Sequence, residues 1–356
     1  MEREYYLQLA KSGLQMPIGA DLILHEYADA DAILEDGERL GRVLEETAKR
    51  FCTPLAVPHM DLELEKFEIL RLLGIPAEER AKYHFTSPPS AEDFAAIDAV
   101  QVGAFSPRLQ AHIDSVRYIA TQTDLLPIGM AIGPFSLMTK LLADPITPVC
   151  MAGSGVTAEE DEEVATVEQT LSLIIRFIVR SIEAQIAAGA KAIFIAEPAA
   201  NKVYFSPNQL DAGSDIFDRF VMAYNYQIRA LLAQYGVDLI FHCCGELTEY
   251  MVQKFTKLDP AIMSLGSSRK LWEDAALVPD DIVLFGNLPS KKFYSDALIT
   301  VEQVEQQGAE LLAKMAEVGH PFILGTECDV LTVQGCEATI RAKAMVIAKR
   351  RELCCP

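Results

Sequence analysis

Short apolar runs recur along most of this chain, and each ends in residues that favour turns. The clearest of them predict buried strands at residues 55–57, 128–132, 192–196, 239–244, 262–265, 282–285 and 322–324. A weaker eighth run lies near residues 99–102. Residues 1–50 are acidic, have a helical pattern and show no strong strand.

Segments with helical periodicity separate these runs. Two of them begin with a capping box, in which Thr is followed three residues later by Glu or Gln, and cover residues 157–189 and 300–319. A third covers residues 214–236. All three end at glycine, which often terminates helices because it tolerates a left-handed backbone. The alternation of strands and helices predicts parallel βα units.

The number of units favours an α/β fold. We predict a (β/α)8 TIM barrel over residues 51–356, with residues 1–50 as an N-terminal helical segment packed on it. The alternative is an open doubly wound sheet, but the first βα turn has no Gly-x-Gly-x-x-Gly pattern. In a barrel, functional side chains are expected at the C-terminal ends of the strands.

Three residues at such strand ends form a candidate metal site. His242 and Cys244 end one predicted strand, and Cys328 ends another. Since side chains alternate along a strand, His242 and Cys244 point to one side and Cys243 to the other. One imidazole and two thiolates with an open fourth position are typical of catalytic zinc. From the pattern alone, core packing is an equal alternative, because buried cysteine is common in protein cores.

Such a site favours thiol chemistry. Zinc lowers the pKa of a bound thiol and holds the thiolate for attack. Two thiolates and one imidazole leave the zinc site without net charge, so a bound substrate sulfur stays electron-rich. The ligand set therefore suits methyl transfer to sulfur better than hydrolysis, for which histidine-rich sets are more common.

The same residues carry a family resemblance. The stretch His242-Cys-Cys-Gly245 and the later Cys328 resemble the His-x-Cys-Gly motif and final cysteine of corrinoid-dependent methyltransferases that serve coenzyme M. Those enzymes form one branch of the uroporphyrinogen decarboxylase superfamily. Further landmarks of the superfamily lie between residues 125 and 345: Gly133-Pro-Phe-Ser-Leu137, Ala188-Gly-Ala190, Glu197-Pro198, Ser206-Pro207, Gly286-Asn287 and Gly325-Thr-Glu-Cys328.

The resemblance implies a barrel of the uroporphyrinogen decarboxylase type with zinc at its mouth, held by His242, Cys244 and Cys328. It implies transfer of a methyl group between a small molecule and methylcobalamin or cob(I)alamin carried by a partner corrinoid protein. A thiol acceptor such as coenzyme M is slightly favoured over demethylation of a methoxylated or methylated donor, because the ligand set suits thiolate activation.

The chain departs from the family pattern at two places. Where some coenzyme M enzymes carry a glutamate near zinc, residues 263–267 read Met-Ser-Leu-Gly-Ser. The N-terminal Arg-Gln-Ala-Gly-Arg stretch of the decarboxylases is absent. The alternative function, uroporphyrinogen decarboxylase-like decarboxylation of a tetrapyrrole, therefore lacks arginines to bind the propionates. A third alternative is a non-enzymatic corrinoid-binding module, although the chain has no Asp-x-His-x-x-Gly motif.

Other strand-end residues extend the predicted site. Glu197 is expected to orient substrate or a metal ligand as a catalytic residue, or else to form an ion pair that caps the barrel. His59 and Asn287 are candidate substrate-binding residues, and for Asn287 the alternative is stabilisation of the local turn. Glu327 and Asp329 flank the last candidate metal ligand, and strand alternation predicts that they form surface salt bridges.

Composition narrows the class of partners. A formal net charge of -20 argues against nucleic-acid binding, which needs clustered Lys and Arg, and favours a corrinoid protein with a basic docking patch. No run of about 18 apolar residues occurs, so no membrane span is predicted. The N-terminus lacks the features of a signal peptide, and we expect a cytoplasmic protein. The eight cysteines are then expected as thiols or metal ligands rather than disulfides.

Overall fold

Eight parallel strands form one sheet that curls into a TIM-barrel-like arrangement. The structure is a computed structural model that describes residues 3–99 and 104–348. The strands are β1 Gln15–Ile18, β2 Leu55–Ala56, β3 Leu126–Ile132, β4 Ala192–Ala196, β5 Asp238–Cys243, β6 Ile262–Leu265, β7 Val283–Leu288 and β8 Phe322–Asp329. Their order in the sheet is β1-β8-β7-β6-β5-β4-β3-β2, and all neighbours are parallel. This confirms the predicted fold class.

Helices connect the strands and surround the sheet. The α-helices are α1 Arg3–Lys11, α2 Ala20–Leu24, α3 Ala30–Ile33, α4 Gly37–Arg50, α5 Leu64–Leu72, α6 Ala77–Arg80, α7 Ala91–Asp98, α8 Pro107–Gln122, α9 Pro134–Leu141, α10 Ile146–Gly153, α11 Glu162–Ala187, α12 Pro207–Asp211, α13 Ala223–Tyr235, α14 Glu249–Thr256, α15 Leu271–Asp274, α16 Val301–Val318 and α17 Glu337–Ile347. A π-helical turn, Asp218–Met222, precedes α13. Across the described ranges, no helix is both long enough and apolar enough to cross a membrane.

The seven clear strand predictions are confirmed, but the prediction that residues 1–50 hold no strand is wrong. β1 lies in that segment and pairs with β8. Proline is rare inside strands, so Pro17 and the shortness of β1 conceal it in the sequence. The missing N–H of Pro17 is tolerated because β1 is a terminal strand in the sheet order. The weak run near residues 99–102 falls mainly outside the described residues, and the domain boundary at residue 50 stays a prediction.

The two predicted capping boxes have different outcomes. Thr300 forms the predicted box at the start of α16. Thr157 and Glu160 contact each other as predicted, but α11 begins later, with Asp161 as its N-cap. The Asp161 carboxylate accepts two backbone N–H groups of the first turn, which satisfies more of the free helix donors than Thr157 would.

Side chains from every strand fill the inside of the curled sheet. Met16, Ile128, Phe194, Ile240 and Phe285 belong to this inner apolar cluster, and all are at least nine-tenths buried. A larger cluster fills the space between the sheet and the surrounding helices. The inner cluster fills the interior of the curled sheet with apolar side chains. The polar side chains at the C-terminal ends of the strands therefore lie directly on an apolar surface.

A buried carboxylate covers the part of β3 that extends beyond β2. β2 pairs with β3 through only two residues, so the N–H of Ile132 has no strand partner on that side. It donates instead to the carboxylate of Glu65 in α5, at 3.2 Å. Glu65 is fully buried, and burial raises its pKa to about 8. Burial therefore favours the protonated form of Glu65, although the hydrogen bond from Ile132 by itself favours the ionised form.

We expect Glu65 to make the fold less stable as pH rises. Its pKa in the fold, about 8, lies above its ordinary value of 4.5, so folding favours the protonated form. The contribution of Glu65 to the free energy of unfolding is then greatest below about pH 4.5. It falls by up to about 1.4 kcal/mol per pH unit as pH rises towards 8. Glu65→Gln retains an acceptor for Ile132 and should remove this decline. Urea unfolding of both metal-free proteins between pH 5 and 8 measures the difference, and parallel pH profiles would contradict the assignment.

Candidate metal centre

The structure brings the three predicted metal ligands together at the C-terminal end of the sheet. His242 lies in β5, Cys244 directly follows that strand, and Cys328 lies in β8. The Sγ atoms of Cys244 and Cys328 are 3.8 Å apart. One possible ligand atom from each of the three residues lies within 4.8 Å of the others. Cys243 points away, as predicted, into the outer apolar cluster, where its Sγ contacts the carbonyl of Ala200.

A hydroxyl on the neighbouring strand orients the imidazole of His242. Ser264 is the register partner of His242 between β5 and β6, and its Oγ lies 2.9 Å from Nδ1. The other ring nitrogen, Nε2, is buried and has no hydrogen-bond partner among residues 3–99 and 104–348. Because buried polar atoms are nearly always satisfied, this orphaned Nε2 points to a missing ligand. A proton on Nδ1, shared with Ser264, leaves the Nε2 lone pair free to bind it.

The arrangement fits zinc. Two Zn–S bonds of about 2.3 Å at a tetrahedral angle place the sulfurs about 3.8 Å apart. The observed separation of Cys244 and Cys328 is also 3.8 Å. That distance is far longer than a disulfide bond. Two sulfurs and one imidazole nitrogen are also the donor types that zinc prefers.

The two thiols share one negative charge. The hydrogen bond between the two thiols, together with the contact to His242 and the charge of Lys291, lowers the pKa of the Cys244 thiol well below its ordinary value. The same hydrogen bond and burial raise the pKa of the Cys328 thiol. Cys244 is therefore the sulfur that ionises first, and a bound cation would stabilise the second thiolate as well.

Lys291 places a positive charge beside the two thiols, and the sequence pattern gave no signal for it. Its Nζ donates to the carbonyl of Cys244 at 3.2 Å and lies 3.9 Å from Glu327. Burial lowers the pKa of Lys291, but the negative charges of Cys244 and Glu327 outweigh burial and the pKa is raised. Glu327 is buried, contrary to the predicted surface position, and accepts hydrogen bonds from the N–H and hydroxyl of Ser267.

Removing the hydroxyl of Ser264 should weaken metal binding without removing a ligand. In Ser264→Ala, the Nδ1 of His242 loses its partner, so the tautomer and ring angle are no longer fixed. Partners of this kind typically contribute 10- to 100-fold to metal affinity. Competition with a chromogenic zinc chelator measures the change. Ser12→Ala, at the exposed end of α1 and before β1 begins, is the control, and an equal loss of affinity in both variants would contradict the orienting role.

Glu197 is fully buried beside the metal site, and its backbone N–H and both carboxylate oxygens form hydrogen bonds within the protein. Its N–H donates to the carbonyl of His242 at 2.8 Å. Its carboxylate accepts from the N–H of Ser136 at 2.6 Å and from Asn225 at 3.1 Å. Burial raises its pKa despite these donors. The ion-pair alternative does not describe these contacts, and the predicted catalytic role stays a prediction.

Asn287, in β7, holds the loop that follows β6. Its Nδ2 donates to the carbonyls of Gly266 and Arg269, at 2.8 and 2.9 Å, so both amide protons are used within the protein. These bonds stabilise the loop after β6 rather than the turn at residues 286–289, which was the predicted alternative. A contact between Asn287 and substrate stays a prediction, with the amide oxygen as the atom that remains for it.

Asp21, His59 and Asp329 form a second polar group at the strand ends, called here the acidic cluster. Nε2 of His59 lies 3.2 Å from the carboxylate of Asp21. Burial lowers the pKa of His59, but the hydrogen bond to Asp21 and the charge of Asp329 outweigh burial and the pKa is raised. Asp329 is 3% exposed, so its predicted surface salt bridge is wrong. Burial and the neighbouring Asp21 raise the pKa of Asp329 to about 7.

Comparison with known proteins identifies a matching sequence family and solved structures with a similar fold. A sequence model described as Uroporphyrinogen decarboxylase (URO-D) matches residues 73–346. A solved methyltransferase from Methanosarcina mazei is similar over 97% of this chain and 97% of its own, with a TM-score of 0.65 and 13% identity. A solved B12-independent methionine synthase from a Shewanella species is similar over 66% of this chain and 65% of its own chain, with a TM-score of 0.39 and 13% identity. This similarity is too distant to support an argument. Among curated proteins, none is significantly similar in sequence.

Proposed function

The chain belongs to the uroporphyrinogen decarboxylase (URO-D) family, and from this premise we propose that it is a zinc-dependent methyltransferase of a corrinoid-dependent system. It would move a methyl group between a corrinoid protein and a small molecule. The observation that carries the proposal is the orphaned, buried Nε2 of His242 beside two thiols. The methyltransferase from Methanosarcina mazei, which has the same fold, is consistent with it.

The residues of the site have separable tasks in this proposal. His242, Cys244 and Cys328 would hold zinc, which when bound lowers the pKa of a substrate thiol and keeps its sulfur nucleophilic. Ser264 fixes the imidazole from below. Lys291 offsets part of the negative charge that two cysteines and a substrate thiolate bring into a partly buried space.

We favour a thiol as the methyl acceptor over demethylation of a methoxylated or methylated donor. Two cysteine thiolates and one neutral imidazole cancel the charge of a divalent ion, so the site does not withdraw as much electron density from a substrate sulfur as a histidine-rich site would. Lys291 still keeps the surroundings favourable for an incoming anion. Demethylation uses the same side chains in the opposite direction and is the competing version of the proposal.

A corrinoid protein would approach the loops that follow the strands. These loops expose large apolar side chains, called here the apolar rim: Val203 after β4, Leu298 after β7, and Leu331 and Val333 after β8. Each of the four is at least 40% exposed. Apolar side chains on loops around a mouth are typical of a surface that binds another protein. The acidic surface would complement a basic patch on that partner.

Decarboxylation of a tetrapyrrole is the second candidate, and family membership alone favours it. A propionate-rich substrate needs free arginines at the mouth. Two arginines near the site, Arg108 and Arg269, are each already paired with an aspartate, Asp61 and Asp274. The acidic cluster would also repel propionates. These contacts make the decarboxylase the weaker candidate.

The test uses purified protein with its metal content measured. Zinc-loaded protein is mixed with methylcobalamin and a panel of thiols, and formation of cob(I)alamin is followed by absorbance under anaerobic conditions. The reverse assay supplies cob(I)alamin and methylated or methoxylated compounds. Methyl transfer in either direction that requires zinc supports the proposal and identifies the direction. Formation of coproporphyrinogen from uroporphyrinogen without methyl transfer would overturn it.

A further inference from the structure

The acidic cluster contains one carboxylate, that of Asp329, that has no well-formed hydrogen bond in the described part of the chain. Asp21 is well supported: Thr332 donates its N–H to one oxygen at 2.6 Å, and His25 and His59 lie 3.3 and 3.2 Å from the other. Asp329 is equally buried, yet within the described residues neither of its carboxylate oxygens has a well-formed hydrogen bond, although the backbone N–H groups of Val330 and Met60 act on it and lower its pKa. A buried carboxylate with so little support is costly, and a bound ligand would supply the missing contact.

The unsatisfied carboxylate lies next to the metal centre. Asp329 directly follows the metal-ligand candidate Cys328 in β8, so their Cα atoms are about 3.8 Å apart. A small cavity of about 20 Å³, enough for about one water molecule, lies on the sheet axis and is lined in part by Ser264, Ile18 and Val57. Ser264 contacts the metal-ligand candidate His242, and Ile18 is the register partner of Asp329, so residues beside each of the two groups line the same cavity. A molecule with only a few carbon atoms between two functional groups would reach from one site to the other.

We propose that Asp329 binds the protonated amine of the small molecule that exchanges its methyl group at the metal centre. This inference rests on the proposed function and names the substrate class: a short thiol, or its methylated form, that carries an ammonium group. Asp329 supplies the counter-charge, while Asp21 holds His59 in place at the edge of the same space.

The surroundings favour an organic ammonium over a metal ion or an anion. A hydrated divalent ion needs about six oxygen ligands, and the cluster offers one free carboxylate. Ile18 and Val57 provide apolar surface for the carbon chain that carries an ammonium group. The charge of His59 acts on Asp329, but His59 also contacts Asp21, and Arg108 pairs with Asp61. The space around Asp329 therefore has an excess of negative charge.

The first experiment measures binding without thiol or metal. Metal-stripped protein at pH 8 is titrated with ethylammonium chloride by calorimetry, with potassium chloride at the same ionic strength as reference. We expect saturable binding of ethylammonium by the wild-type protein and at least about tenfold weaker binding by Asp329→Asn. Asp280→Asn, which removes one fully exposed carboxylate, is the matched control and should bind as the wild type does. Absence of wild-type binding, or equal binding of potassium, would overturn the proposal.

The second experiment compares thiols that differ only in charge. Cysteamine, 2-mercaptoethanol and 2-mercaptoethanesulfonate are offered to the zinc-loaded enzyme with methylcobalamin. We expect the highest kcat/KM for cysteamine, and Asp329→Asn should lower that value about tenfold through KM while leaving 2-mercaptoethanol unchanged. Equal kcat/KM values for the three thiols would overturn the ammonium site but leave methyl transfer established. Ethylammonium binding that depends on Asp329, without methyl transfer in either direction, would uphold the site and overturn the proposed function.

Discussion

Replacing Cys244 or Cys328 with alanine is expected to reduce bound zinc from about one ion per chain to nearly none. Each variant leaves two ligands, which cannot form the three-ligand site that catalytic zinc requires. Methyl transfer should fall by about a thousandfold, because a metal ion contributes several kcal/mol to transition-state stabilisation. Metal analysis by mass spectrometry and the cob(I)alamin assay measure the two effects separately.

The fold should survive both substitutions. Cys244 and Cys328 are only partly buried at the strand ends, and neither belongs to the apolar clusters that hold the sheet and helices together. In the presence of a chelator, the thermal unfolding temperatures of both variants should match that of the wild type. Cys150→Ala, which removes an exposed thiol in α10, is the control for loss of a cysteine as such. Full zinc occupancy in either ligand variant would refute the ligand assignment.

A charge placed on the apolar rim is expected to weaken methyl transfer with the corrinoid protein, while methyl transfer with free methylcobalamin stays unchanged. Leu331→Glu and Val203→Glu put a carboxylate on side chains that are 58% and 61% exposed on loops after β8 and β4. If these loops contact the corrinoid protein, burying the new charge should lower kcat/KM with that protein about tenfold or more. With free methylcobalamin, which needs no protein interface, the rate should stay close to that of the wild type.

Val318→Glu provides the matched control for this experiment. Val318 is 48% exposed at the C-terminal end of α16, before β8 begins, and therefore lies at the opposite end of the sheet from the apolar rim. Its replacement introduces the same charge at a similar exposure. If Val318→Glu slows the corrinoid protein as much as Leu331→Glu does, the effect reflects net charge, and the docking surface is not at the mouth.

Much of the fold could be predicted because its signals are local. Parallel strands that are covered on both faces are continuous apolar runs, and seven of them are visible between residues 55 and 324. Helix ends carry their own markers, such as the capping box at Thr300 and the glycine that ends α16. β1 escaped detection because its four residues include proline, and only its pairing with β8 makes it a strand.

The metal ligands were predictable for the same local reason. The spacing of His242 and Cys244 places both side chains on one face of β5, and cysteine and histidine are distinctive ligands. The sequence also indicated that Cys328 lies at the end of another strand. That the three residues meet is decided by the sheet, which brings β5 and β8 to the same end of the barrel.

Sequence by itself therefore determined the βα alternation, the family and the identity of the candidate ligands, because each depends on residues close together in the chain. Only the tertiary structure decided which groups support them. Ser264 reaches His242 through the register of two strands, and Lys291 reaches Cys244 through a loop. Asp329 was expected on the surface, yet it is buried opposite Ile18, next to an irregularity in the register of β1 and β8. Alternation along a strand predicts which face of the sheet a side chain lies on only while the strand register is regular. Whether that side chain is buried depends on the helices and loops packed on that face.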